Sequence, residues 1–177
     1  MTSVAIIGAG PLGRWLALAA ARAGYRVLLE DVMPGNLHHA RESIRQEMDD
    51  VALGPDALSA VNFVSTIEDA VRGADLAIDC VPDELESKLE ILWLLDRMAP
   101  PRTVIATPTT NLSIADLASC TYRPEKCIAI AASPAALVAG AGPGLVLRAG
   151  PATGTETVDL VCGFWRRLGF LPTVERV

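Results

Sequence analysis

A doubly wound α/β domain on a mostly parallel sheet is the fold this sequence predicts, and three observations predict it. Short apolar runs alternate with helical stretches along most of the 177 residues. A glycine-rich turn joins the first run directly to the first helix. One central run, Leu76–Val81 (L-A-I-D-C-V), is almost continuously apolar, as expected of a strand buried on both faces. The length suits one domain with a real core. A hydrophobic content of 51% with 20% charged residues describes a globular chain, not a disordered one. The net charge of −6 and pI near 4.9 argue against nucleic acid or an anionic membrane as partner.

The elements read in order as follows. Thr2–Ile7 is a strand feeding Gly8-Ala9-Gly10-Pro11-Leu12-Gly13, and Leu12, Trp15, Leu16, Ala19, Ala20 and Ala23 then recur at helical spacing. Gly24 ends that helix, and Arg26–Leu29 is a second strand closed by Glu30-Asp31. Pro34–Val51 is a polar helix with Leu37, Ile44 and Met48 inward, broken at Gly54-Pro55. Val61–Val64 is a strand and Ile67–Val71 a short helix before Gly73. After Leu76–Val81, a helix over about Asp83–Met98 carries Leu85, Leu89, Leu92 and Trp93 inward until Pro100-Pro101 stops it. Thr103–Thr107 is a strand, and Ser113 caps a short helix with Asp116 three residues on. Cys127–Ala131 and Leu145–Ala149 are strands, Thr155–Leu168 is an amphipathic helix, and Phe170–Val174 is a last strand.

The glycine turn carries chemistry. Gly8 permits a tight turn, Gly10 lets backbone approach a pyrophosphate, and Gly13 allows close helix–strand packing. The free N–H groups and positive dipole end of the following helix suit phosphates. G-x-G-x-x-G alone is weak, but here it follows a strand, opens a helix and has an acid 18 residues past its last glycine. That arrangement predicts a Rossmann-type dinucleotide site. Asp31 is favoured over Glu30 for the adenosine ribose, because alternation puts the two on opposite faces. A carboxylate there repels a 2′-phosphate, so the expected cofactor is NAD(H). Gly140-Ala141-Gly142-Pro143-Gly144 echoes the turn but precedes a strand, so a plain loop is expected. Cys80, Cys120, Cys127 and Cys162 have no metal-ligand spacing and read as reduced thiols, with no metal expected. His38 and His39 read as a solvated helix face. No apolar run reaches the ~18 residues of a membrane span, and the start lacks the features of a signal peptide. A cytoplasmic location is the expectation.

Several blocks together resemble the NAD-binding domain of the L-3-hydroxyacyl-CoA dehydrogenases: G-A-G-P-L-G-R at 8–14, V-L-L-E-D-V at 27–32, D-L-A-I-D-C-V-P-D-E-L-E-S-K at 75–88, A-T-P-T-T-N-L-S-I at 106–114, R-P-E-K-C-I at 123–128 and G-P-A-T at 150–153. The resemblance covers essentially the whole chain. It implies an oxidoreductase acting on the CH–OH group of a hydroxyacyl thioester, in fatty acid metabolism. It also implies cofactor contacts from Gly8, Gly10, Pro11, Leu12, Gly13, Asp31, Asp83 and Lys88, the last two near the nicotinamide-side ribose. The family has Glu where this chain has Asp83. An acid and a lysine just past a strand's C-terminal end would lie at the ligand crevice of such a sheet.

The departures concern catalysis. The family's general base is a His in G-x-H-F-x-N-P; the matching segment here is Ala129–Pro134, with Ala131 in place of the His. The Glu that orients that base belongs near Leu145–Leu147, and no acid lies between Lys126 and Glu156. Thr110 matches the family's substrate-holding Ser and is the one catalytic candidate. Pro108 replaces a cofactor-binding Asn. The family's C-terminal helical domain, which dimerises and covers the acyl substrate, is absent from residues 1–177, and the stretch around Val51–Ala60 is shortened. The expectation is therefore an NAD-binding protein of dehydrogenase descent that does not itself turn over a hydroxyacyl substrate, the alternative being a non-catalytic regulatory or partner subunit. Apolar surface at Phe170–Val174 and Ala135–Gly144 predicts a homodimer or a complex with another subunit.

Overall fold

The computed structural model describes residues 3–49, 60–139 and 143–177. Eight strands form one sheet in the order β3-β2-β1-β4-β5-β6-β7-β8. They are β1 (Ser3–Ile7), β2 (Arg26–Glu30), β3 (Val61–Val64), β4 (Leu76–Asp79), β5 (Val104–Pro108), β6 (Cys127–Ile130), β7 (Gly144–Ala149) and β8 (Leu171–Arg176). The helices of three turns or more are α1 (Pro11–Arg22), α2 (Pro34–Asp49), α4 (Leu85–Met98) and α7 (Thr155–Arg167). Single-turn helices are α3 (Ile67–Val71), α5 (Ile114–Ala118) and α6 (Pro134–Val138). Strands β3 through β6 pair in parallel, β6–β7 is antiparallel, and β8 runs parallel to β7. The predicted doubly wound, mostly parallel sheet is what forms.

Alternation along β1 creates two cores. Val4 and Ile6 face α1, α2 and α7, whereas Ala5 and Ile7 face α3, α4 and α5. On the first face Trp165 packs against Trp15, ring centroids 6.5 Å apart, and against Phe170 at 5.1 Å, fastening α7 to α1 and to the approach of β8. Successive strands are added in opposite directions from β1 and from β4, two parallel neighbours whose ends are level: Ile7 pairs with Asp79. That reversal opens a crevice beyond the strands' C-terminal ends, where such sheets take ligands.

Several boundaries differ from the sequence reading. Leu85 and Trp93, expected inward, are 48% and 44% exposed. Helix α4 begins only at Leu85, and its buried stripe runs Lys88, Ile91, Leu92 and Leu95. Lys88 thus occupies a position that an apolar pattern assigns elsewhere, and the Arg97 guanidinium covers Trp93 from outside, 4.2 Å from its ring centroid. Strand β4 stops at Asp79, so Cys80 and Val81 turn into the crevice. Helix α6 is not among the elements expected from sequence, although Ser133 caps it, accepting from Ala136 N–H, and Pro134 occupies its first position. In α7, Phe164 is fully buried beside Val161 and Trp165. Of the α2 positions, Ile44 is buried and Leu37 half-buried. The side chain of Met48, the Gly54-Pro55 break, the shortened stretch before Ala60 and Gly140–Gly142 lie outside the described residues. Residue 144 does open a strand, as expected after the second glycine cluster. No helix among the described residues is long and apolar enough to cross a membrane.

Candidate functional site

The crevice at the ends of β1, β2 and β4 holds a cleft of about 800 Å³. Its floor is Gly8, Gly10, Pro11 and Leu12; Asp31 and Asn36 close one side, Cys80 to Pro82 another, and Pro134, Ala135, Val138 and Ala139 of the α6 segment form a wall. Desolvation and the Asp79 charge both push the Cys80 thiol up, so it lines the cleft as a neutral thiol.

Each glycine of the turn has a distinct steric reason. Gly8 has φ +102°, a conformation L side chains rarely adopt. A Cβ on Gly13 would stand 1.8 Å from the Gly8 carbonyl oxygen. A Cβ on Gly10 would meet nothing within 4 Å. Gly8 and Gly13 therefore fix the approach of α1 to β1, while Gly10 keeps its surface clear for something outside the fold. Gly10 is the N-cap of α1 and bears no side chain to satisfy the helix's first N–H groups, a fit for a phosphate.

Asp31 is held where two helices begin. Its Oδ2 accepts from Ala9 N–H at 2.9 Å and its Oδ1 from Met33 N–H at 2.9 Å. Asn36 Nδ2 lies 3.1 Å from both oxygens. Ala9 precedes α1 and Met33 precedes α2, so both positive dipole ends favour the carboxylate. Glu30 is buried on the face of Leu28; burial first, and then Asp31, raise its carboxyl to about 7. The two acids do part to opposite faces, and only Asp31 reaches the cleft.

Asp83 and Thr110 meet across the ends of β4 and β5. Asp83 Oδ2 accepts from Thr110 N–H at 3.0 Å and from its hydroxyl at 3.3 Å. Asp83 Oδ1 is buried with no hydrogen-bond partner among the described residues, an acceptor that fits a ribose hydroxyl. Burial raises the Asp83 carboxyl, but the nearby Thr109 hydroxyl, the Thr110 bonds and the Lys88 charge outweigh it and hold the group below its ordinary value. Lys88 lies close enough for its charge to act on Asp83, but its ammonium is paired elsewhere. Its side chain is 1% exposed, with Nζ 3.0 Å and 3.2 Å from the two Asp79 oxygens, and Thr107 also donates to Asp79. The ammonium is spent on a buried ion pair, because Asp79 ends β4 fully buried under α4.

Of the residues expected from sequence, Gly8, Gly10, Pro11, Leu12 and Asp31 surround one cleft, Gly13 lies beneath it, and Asp83 with Thr110 forms a separate pair. Ala131 follows β6, and its N–H donates to Val146 O at 2.9 Å, so the segments expected to carry base and acid adjoin through apolar residues. His38 and His39 are exposed on α2. The four cysteines are free thiols, Cys127 and Cys162 buried. Asn36 and the α6 wall line the cleft without having been expected from sequence. Ser133-Pro134 signalled the helix, whereas Asn36 left no sequence signal, because a polar residue in a first helical turn is ordinary.

Comparison with known proteins is consistent with this geometry. The family model for the NAD-binding domain of 3-hydroxyacyl-CoA dehydrogenase matches residues 3–176. The 5-formyl-3-hydroxy-2-methylpyridine 4-carboxylate 5-dehydrogenase of Mesorhizobium japonicum is 30% identical over 98% of this chain, and L-carnitine dehydrogenase of Burkholderia mallei is 33% identical over 95%. The chain spans little over half of these relatives, 57% and 53%. The solved 3-hydroxybutyryl-CoA dehydrogenase of Escherichia coli superposes with a TM-score of 0.86 at 26% identity, over 99% of this chain and 38% of that one. The corresponding enzyme of Ralstonia eutropha, at 22% identity and a TM-score of 0.89, shares the fold. This chain belongs to the family of 3-hydroxyacyl-CoA dehydrogenase NAD-binding domains.

Proposed function

We propose that this chain binds NAD(H) in the cleft and does not by itself oxidise a hydroxyacyl substrate. The open space over Gly10, beside the fixed Asp31 carboxylate, is the observation that carries the first half. Gly8–Gly13 would hold the pyrophosphate and Asp31 the adenosine ribose, while Asp83 Oδ1 would accept from the second ribose. NAD, when bound, supplies a hydride acceptor. Proton transfer needs a base within hydrogen-bond reach of the substrate hydroxyl. Ala131 cannot accept a proton, and its neighbour Val146 cannot orient one that does. What supports a non-catalytic NAD-binding role is thus chemistry, whereas descent favours an oxidoreductase.

Fluorescence titration with NADH tests the first half, and NADH absorbance with millimolar acetoacetyl-CoA tests the second. We expect binding without turnover, and no rescue by Ala131→His, whose ring would lack a carboxylate partner. Turnover in the common enzyme range of ~1–10³ per second would refute the reading. A second reading, a dehydrogenase completed by a base from another polypeptide, draws on Thr110: its hydroxyl, fixed on Asp83, matches the family's substrate-oxygen ligand. Activity that appears only with a partner chain, and is lost in Thr110→Val, would favour it.

A further inference from the structure

We propose that Asn36 is the positioning residue for Asp31 and, through it, sets the preference for NAD(H) over its 2′-phosphorylated form; the inference rests on the NAD(H) reading above. Four donor contacts reach the Asp31 carboxylate. Two are backbone N–H groups, from Ala9 and Met33, that no substitution at those positions short of proline removes. The other two come from one side-chain amide, Asn36 Nδ2, at 3.1 Å from each oxygen. The amide's orientation is dictated by its partner, since its carbonyl end would repel a carboxylate. Asn36 lines the same cleft as Asp31, so the clamp sits at the ligand surface.

The clamp's neutrality decides its effect. An arginine near this carboxylate would cancel its charge and accommodate a 2′-phosphate. Asparagine fixes the same oxygens while leaving the negative charge whole. A diol can then donate to a carboxylate already held in place, taking over one of the two Asn36 contacts while the other bonds keep it oriented, and a phosphate meets undiminished repulsion. The residue is exposed in the first turn of α2, so replacing it removes no core packing.

The test is a double-mutant cycle read by NADH and NADPH fluorescence titration on the parent, Asn36→Ala, Asp31→Ala and the double variant. Asn36→Ala is expected to weaken NADH roughly five- to tenfold, as loss of hydrogen bonds to a charged group does, and to weaken NADPH less, narrowing the ratio. In the Asp31→Ala background the same change is expected to move NADH affinity less than about twofold, because sites coupled through one group are not additive. Asn36→Arg is expected to shift the ratio towards NADPH, an effect that a merely structural role would not produce. An unchanged Asn36→Ala, an equal loss in both backgrounds, or an Asn36→Arg protein with the parent's NADH/NADPH ratio overturns the role of Asn36 while the cofactor reading stands. A parent that binds neither nucleotide overturns both.

Discussion

Two glycines of the first crossover, Gly10 and Gly13, should fail in opposite ways when given a side chain. A Cβ at Gly13 lies 1.8 Å from the Gly8 carbonyl oxygen, where real Cβ atoms essentially never come within 3.0 Å, so α1 or the turn must yield by at least about 1.2 Å. Neither yields readily: the turn is tied by Gly8 N–H to Glu30 O at 2.8 Å, and α1 buries Leu12 and Leu16 in the core. Overpacking of this kind costs about 1–3 kcal/mol and sometimes more. Gly13→Ala should reach the upper end, and in a domain of this size ~3 kcal/mol lowers Tm by roughly 6–12 °C. Gly10→Val meets nothing within 4 Å, and its φ of −67° with ψ of −173° suits any residue. Its stability should stay within about 0.5 kcal/mol of the parent, while NADH binding is lost because the side chain fills the pyrophosphate's place. Calorimetry and NADH fluorescence on both variants separate the two effects. A Gly13→Ala protein with parental Tm, or a folded Gly10→Val protein with parental affinity, would refute the steric reasoning.

Other outcomes follow from the same geometry. Asp31→Ala should weaken NADH by about 1–3 kcal/mol through lost charge-assisted ribose bonds, and equal affinity of the parent for NADH and NADPH would show that Asp31 does not face the ribose. Lys88→Met leaves Asp79 charged and buried, which should cost about 3–5 kcal/mol; adding Asp79→Leu should recover much of it, as urea denaturation would report. Glu30 has a folded value of about 7 against 4.5 ordinarily, so the native state binds its proton more tightly and stability falls as pH rises from about 4.5 to 7. Glu30→Gln should flatten that slope in Tm measured between pH 5 and 8, and an unchanged slope would assign it to other groups.

Much of the fold was legible because it depends on local periodicity. Ile67–Val71 and Val61–Val64 match residue for residue, and other boundaries fall within one or two residues. The glycine turn was legible too, since Gly8 and Gly13 answer to local backbone geometry and to contacts within one strand–turn–helix unit. The failures are those where packing, and not spacing along the chain, decides. The burial of Lys88 left no mark in the sequence: Asp79, buried at the sheet's end, draws the ammonium inside. Trp93 reads as core because it is large and apolar, and only the placement of Arg97 and of the sheet beneath α4 leaves it outside.

By itself the sequence determined the doubly wound sheet, the phosphate-binding turn, the acid after β2 and the apolar residue at position 131, all properties of residue type and spacing. Tertiary structure alone decided what those residues can reach. It set Ala9, Met33 and Asn36 around one carboxylate, closed the cleft with α6, and left Asp83 Oδ1 without a partner among the described residues. Spacing along a chain fixes which face a side chain takes, but hydrogen bonds are satisfied in three dimensions, by whichever donor the packing of distant strands and helices brings within about 3 Å.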